Sequence, residues 1–123
     1  MRVSVSEQGL LDEALANRIV EFNSSEAILT PQGKLILDEM VPVLAKLKDR
    51  KVEIIGHTDN QGLRASNISL SRARADSVRA YLAEKGVNTD NMTTSGQGPD
   101  RPVTTDSVDG RSRNRRIEFR IGQ

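Results

Sequence analysis

A short apolar segment, KVEIIG at 51–56, stands between two longer segments whose apolar residues recur at helical spacing. Before it, TPQGKLILDEMVPVLAKLK (30–48) places Ile36, Met40, Val43, Leu44 and Leu47 on one helical face. Thr30 suits the N-cap and Pro31 the first helical position, whereas Pro42 falls inside and is expected to kink the helix or remove a bond. After it, a second helix is expected to begin between Asn67 and Ser71 and to end at KG, with Gly86 as its C-cap. RIVEF at 18–22, MTTSGQG at 92–98 and RRIEFRI at 115–121 read as further strands. The order is then strand, helix, strand, helix, strand, strand. Helices alternating with strands early, and two strands pairing late, predict an α+β fold: a small mixed β-sheet with helices packed on one face. Val52 and Ile54 share one face of their strand, and Glu53 and Ile55 the other. A chain of 123 residues suits one domain, placed at 18–123. Residues 1–17 are weakly patterned and read as an N-terminal extension, with a short helix at 7–16 that Gly9 weakens. No internal repeat or low-complexity segment is visible. The stretch at 99–114 is a long loop with two of the four prolines, and loops of that length are often functional.

Two arginines fall on apolar faces. With Leu70 set at zero and about 100° per residue, Tyr81, Val78 and Leu82 lie near 20°, 80° and 120°, and Arg74 near 40°, inside the same stripe. Arg72 and Arg79, near 200° and 180°, are expected in solvent. In the last strand Ile117, Phe119 and Ile121 share a face with Arg115, while Arg116, Glu118 and Arg120 point the other way. A guanidinium on a core-facing side must be paired or must open onto a cleft. One reading is structural: Arg74 pairs with Asp59, and Arg115 satisfies loop carbonyls. The other is a charged pocket where the strand in IIGHTDNQG (54–62) ends, with Asp59 as its negative charge and Arg74 and Arg115 as its positive ones. Backbone N–H groups at the start of the following helix favour an anion there. Such a pocket suits a small zwitterion, with its ammonium on Asp59 and its carboxylate on Arg74.

Composition narrows the alternatives. Lys plus Arg number 18 and Asp plus Glu 17, a formal net charge of +1, which argues against a general nucleic-acid or membrane-surface binder. Aromatic residues are 2% with no Trp, so stacking platforms for bases are scarce. One His and no Cys make a zinc site a poor expectation and exclude thiol chemistry. No apolar run approaches the ~20 residues of a spanning helix, and no signal peptide is visible. No cofactor is expected.

GHTDNQG, then NISLSRARADSVRAYLAEKGV, then GRSRNRRIEF together resemble the OmpA-like (OmpA/MotB/Pal) peptidoglycan-binding domain. Asn67, Leu70, Ser71, Arg74, Ala75 and Val78 fit its N-x-x-L-S-x-x-R-A-x-x-V helix pattern, and VEFNSSEAILTPQG is similar to its opening strand, loop and helix start. The resemblance runs from Arg18 to Ile121. It implies non-covalent binding of peptidoglycan through the meso-diaminopimelate of the stem peptide, whose free end carries an amine and a carboxylate. By matched position it implies that Asp59 takes the ammonium and Arg74 the carboxylate. Asn67 would add a hydrogen bond near the helix start, Arg115 would complete the anion side, and Asn23 would contribute from the loop after the first strand. Gln61 sits where some relatives have a small hydroxyl residue, and its side chain either crowds the pocket or adds a contact. The resemblance further implies a periplasmic, cell-envelope setting, tethering of a larger protein to the wall, and a membrane anchor supplied by another segment. It leaves a homodimer open.

Rival readings come from other classes. His57 and Asp59 lie two residues apart at a strand end with no clear nucleophile, so local packing of His57 is expected rather than catalysis. A wall hydrolase would need a paired acid and base or a metal, and neither constellation appears. Arg111, Arg113, Arg115 and Arg116 could instead serve a polyanion or nucleic-acid binder, although a solvated charge run is the default. Gly56, Gly62, Gly96 and Gly98 are expected to permit close backbone approach or turns, and Met40 and Met92 to be core.

Overall fold

A computed structural model of the chain describes residues 20, 22, 23, 26–47, 50–58, 63–98 and 116–121. Its elements are α1 (Pro31–Ala45), β1 (Val52–His57), α2 (Arg64–Glu84), β2 (Met92–Gly98) and β3 (Ile117–Ile121). The expected extension at 1–17 and the whole of the long loop at 99–114 lie outside the described residues, as does most of the expected first strand. Of that strand, Phe22 pairs with Leu29 in an isolated antiparallel bridge.

The three strands form one sheet in the order β2-β1-β3. β1 runs parallel to β2, with α2 as the crossover between them, and antiparallel to β3. The sheet is mixed and the fold α+β, as expected, but the two late strands do not pair with each other: β1 lies between them and takes the backbone bonds of both. Val52 and Ile54 join Phe119, Ile117 and Met92 in one apolar cluster with Leu37, Met40 and Leu44 of α1 and Ala75, Val78 and Leu82 of α2. The helices therefore cover one face, and burial of these side chains, at roughly 25 cal/mol per Å² of apolar area, is the main force holding them there. The other face is polar: Ser95 Oγ donates to Glu53 Oε2 at 3.0 Å, and the Glu118 carboxylate meets His57 and Arg116. Ile55, on that face by parity, is nevertheless buried.

Local signals mark two of the four helix ends. The Gly33 N–H donates to Thr30 Oγ1 at 3.1 Å, so Thr30 is the N-cap of α1, with Pro31 next. The helix passes through Pro42 but ends three residues later, at Ala45, short of the expected Lys48. Lys46 and Leu47 then close a tighter turn through bonds to the carbonyls of Val43 and Leu44. Leu37, which is not among the residues read at helical spacing, is fully buried. At the end of α2, Val87 N–H reaches the Leu82 carbonyl and Gly86 N–H the Ala83 carbonyl, with Gly86 at φ +86°. That is a Schellman cap, and it requires the left-handed conformation that glycine adopts without strain.

Two expectations fail in α2. The helix begins at Arg64, three residues before the predicted window, after Leu63, which makes no side-chain capping bond. Arg79 is not in solvent: its Nε donates to the Met92 carbonyl at 3.2 Å and its Nη2 to the Thr89 carbonyl at 2.9 Å. The buried stripe of Ser71, Arg74, Ala75, Val78, Tyr81 and Leu82 is centred nearer 80° than 20° on the 100° wheel. Arg79 thereby falls at its edge beside the start of β2, within reach of the Thr89 and Met92 carbonyls.

Candidate functional site

The ends of four elements converge. Thr58, just past β1, donates its N–H to the Gly98 carbonyl at 2.8 Å, so the ends of β1 and β2 are joined. A β-bulge between Gly56 and His57 sets Gly98, not Gln97, opposite His57. His57 and Arg116 exchange backbone bonds of 2.8 and 3.3 Å, which brings the start of β3 to the same place. Gly98 N–H also donates to Ser71 Oγ at 3.0 Å, which ties the early turns of α2 to this edge. Thr58 is next in sequence to Asp59, and Arg116 to Arg115. Asp59, Gln61 and Arg115 themselves lie outside the described residues.

The structure places three of the six predicted site residues. Arg74 is 7% exposed, and its guanidinium sits over the Phe22 ring at 5.1 Å from the centroid. Its Nε donates to the Glu26 carbonyl at 2.9 Å and its Nη2 approaches the Asn23 carbonyl at 3.5 Å. Arg74 thus takes up loop carbonyls, the role that the structural reading had given to Arg115. Asn23 is exposed, at the base of a tight loop closed by its own N–H to the Ile28 carbonyl at 2.9 Å. Asn67 is half-buried in the first turn of α2, where its N–H makes the helix's early bond to the Leu63 carbonyl at 3.0 Å. Seven residues separate Asn67 from Arg74, so they share a helix face about 10 Å apart along the axis. Arg74 also brings the Asn23 loop to that face, and Ser77 Oγ holds it a turn further on through the Ala27 carbonyl.

Sequence reasoning did not single out Ser71 or Ser77 as holding groups. Ser71 could have been found, because a hydroxyl in the middle of an apolar stripe must have partners. Nothing in the sequence pairs Ser77 with a carbonyl 50 residues away.

His57 packs locally. Buried at 2% exposure, its Nε2 lies 2.7 Å from Glu118 Oε1. Burial alone would raise the Glu118 carboxyl, but His57, Arg116 and Arg120 outweigh it and hold it below its ordinary value. Burial pulls the Arg116 guanidinium down, and Glu118 restores part of that. Arg116 is the one member of the basic run among the described residues. Half-buried and 3.3 Å from Glu118, it is not presented as a free surface charge, which counts against the polyanion reading. Among the described residues no group of three His, Cys, Asp or Glu is placed to hold a metal ion. No described helix is long and apolar enough to cross a membrane.

Comparison with known proteins agrees with this architecture. The OmpA family model matches residues 21–116. Outer membrane protein A from Bordetella avium is 35% identical over 101 residues, covering 81% of this chain and 52% of that protein. The chain therefore spans about half the length of that relative. The peptidoglycan-associated lipoprotein from Burkholderia pseudomallei superposes with a TM-score of 0.74 at 27% identity, covering 89% of this chain and 93% of the other. The cell wall anchor of the T6SS from Pseudomonas aeruginosa superposes at 0.71 with 30% identity, covering 89% and 94%. Motif order, sheet topology and the family match lead to one conclusion: this chain belongs to the OmpA family.

Proposed function

We propose that this chain binds peptidoglycan without chemistry and tethers a larger cell-envelope protein to the wall, on the periplasmic side. Two structural neighbours are named for that role, a peptidoglycan-associated lipoprotein and a cell wall anchor. The bound group is the free end of meso-diaminopimelate in the stem peptide. Asp59 takes its ammonium, and Arg74, with Arg115, its carboxylate. Asn67 and Asn23 add hydrogen bonds at either side, and Gln61 lines the rim. The observation that carries the reading is the position of Arg74. It is a buried cation on the core-facing stripe of α2, on the same side as Asn67 and adjoining the loop of Asn23.

A charge-assisted hydrogen bond contributes about 1.5–3 kcal/mol, so loss of one contact lowers affinity roughly 10- to 150-fold. Calorimetry with a diaminopimelate-containing stem peptide tests this. Wild-type protein binds, Asp59→Ala loses binding at unchanged melting temperature, and Arg74→Ala loses it too. Unchanged affinity in both variants overturns the assigned pocket.

A further inference from the structure

Ser71 is fully buried, and its hydroxyl is used twice. Oγ donates to the Ile68 carbonyl at 2.8 Å and accepts the Gly98 N–H at 3.0 Å. The Gly98 carbonyl accepts the Thr58 N–H at 2.8 Å. A chain of hydrogen bonds therefore runs from the body of α2, across the end of β2, to the residue before Asp59.

Three glycines make the contact close enough for this. A Cβ at Gly56 would lie 2.0 Å from the Ser71 carbonyl oxygen, and one at Gly96 would lie 2.6 Å from Ser71 Oγ. At Gly98, with φ +56°, it would lie 2.7 Å from Ile68 Cγ1. The helix turn around Ser71 is thus seated directly on the backbone of both strands, with little room to slide. Asn67 lies four residues before Ser71 and Arg74 three after, so both move rigidly with it.

We infer that Ser71, seated on Gly56, Gly96 and Gly98, is a positioning residue that fixes the spacing between the strand-end carboxylate of Asp59 and the helix groups Asn67 and Arg74, and so sets selectivity for an amino-acid head. This rests on the proposed function and deepens it. In such a head the ammonium and carboxylate share one carbon, so their separation is invariant, and a two-sided grip must match it within about half an ångström. Ser71 does not touch the ligand. Removing its hydroxyl leaves the Gly98 N–H buried without its partner, and the end of β2, with Thr58 bonded to it, shifts against α2.

The test compares two probes by calorimetry: a stem peptide containing meso-diaminopimelate, and the same peptide with lysine in its place. Lysine keeps the terminal amine and lacks the adjoining carboxylate. Wild-type protein prefers the diaminopimelate peptide at least tenfold. Ser71→Ala lowers its affinity for that peptide at least fivefold and shrinks the preference. Gly86→Ala, a destabilising change remote from the mouth, leaves the preference intact, which separates positioning from loss of stability. Should Ser71→Ala fail to fold, amide exchange in the wild-type protein decides: the diaminopimelate peptide slows the Thr58 and Gly98 amides at least tenfold more than that of Val87. An unchanged preference in folded Ser71→Ala, or no such slowing, overturns the inference and leaves the proposed function standing. Wild-type protein that binds neither peptide, or both alike, overturns the proposed function as well.

Discussion

The guanidinium of Arg74 lies 5.1 Å from the centroid of the Phe22 ring, a contact between residues 52 positions apart that fastens the first loop to α2. The same group donates to the Glu26 carbonyl, so Arg74 supports the fold as well as the proposed pocket. Hydrogen bonds from a charged donor contribute about 1.5–3 kcal/mol, and a cation–π contact about 0.5–1. Arg74→Ala is expected to destabilise the protein by about 2–4 kcal/mol in urea unfolding. Arg74→Lys keeps the charge without the planar fork and should fall between. A loss no larger than that of an exposed Arg72→Ala control would contradict this anchoring role.

The Glu118 carboxylate gives the protein a predictable acid sensitivity. Its folded value is depressed below the ordinary 4.5, since His57, Arg116 and Arg120 outweigh its burial. A depressed carboxylate stabilises the fold above its unfolded value and loses that contribution as pH falls through the folded one. Urea unfolding followed from pH 6 downward should show stability declining below about pH 4.5. Glu118→Gln should be less stable at pH 6 and should decline less steeply. Parallel curves for the two proteins would refute the assignment.

Tyr81 supplies the alkaline counterpart. Burial, with the hydrogen bond to Asp38 at 2.6 Å and the charges of Asp38 and Glu84, pushes its phenol up to about 12. A raised phenol contributes stability that is complete below its unfolded value, near 10, and lost as pH rises through about 12. It is the only tyrosine, so phenolate absorbance reads it directly. The titration midpoint should lie well above 10 in the folded protein and return to about 10 in denaturant. Tyr81→Phe should lose about 1 kcal/mol at neutral pH.

Gly56 and Gly86 should respond differently to the same change. A Cβ at Gly56 meets backbone of Ser71 at 2.0 Å, whereas one at Gly86 meets nothing within 4 Å. Gly56→Ala must push helix and sheet apart and should cost about 3 kcal/mol or more. Gly86→Ala meets only the strain of a left-handed conformation, about 1–2 kcal/mol. Thermal unfolding of the two variants, with matched wild-type runs, checks the order; equal losses would show that the α2 seat on β1 yields easily.

Much of the fold could be read along the chain because the signals are local. Thr30 and Pro31 mark a helix start, and Gly86 a helix end, through bonds spanning only a few residues. Alternation in 117–121 put Ile117 and Phe119 on the core side, where they are buried. The start of α2 was misread because Leu63 offers no capping side chain to mark it. Arg79 was misplaced because its partners, the Thr89 and Met92 carbonyls, come near only when β2 lies along the helix. Of the site, Arg74 announced itself as a charge within an apolar stripe, but which carbonyls it holds could not be read from spacing.

The sequence by itself determined the order of the helices and strands from Thr30 onward, most of their apolar faces, and that one cation must be reconciled with a buried face. These follow from backbone geometry and periodicity, which act over a few residues. Only the tertiary structure decided that Arg74 fastens the loop of Asn23, that His57 meets Glu118, and that Ser71 joins α2 to Gly98. Those choices depend on which polar groups come within hydrogen-bonding reach once the apolar surfaces have closed, and contacts between distant segments carry no mark in the spacing of either.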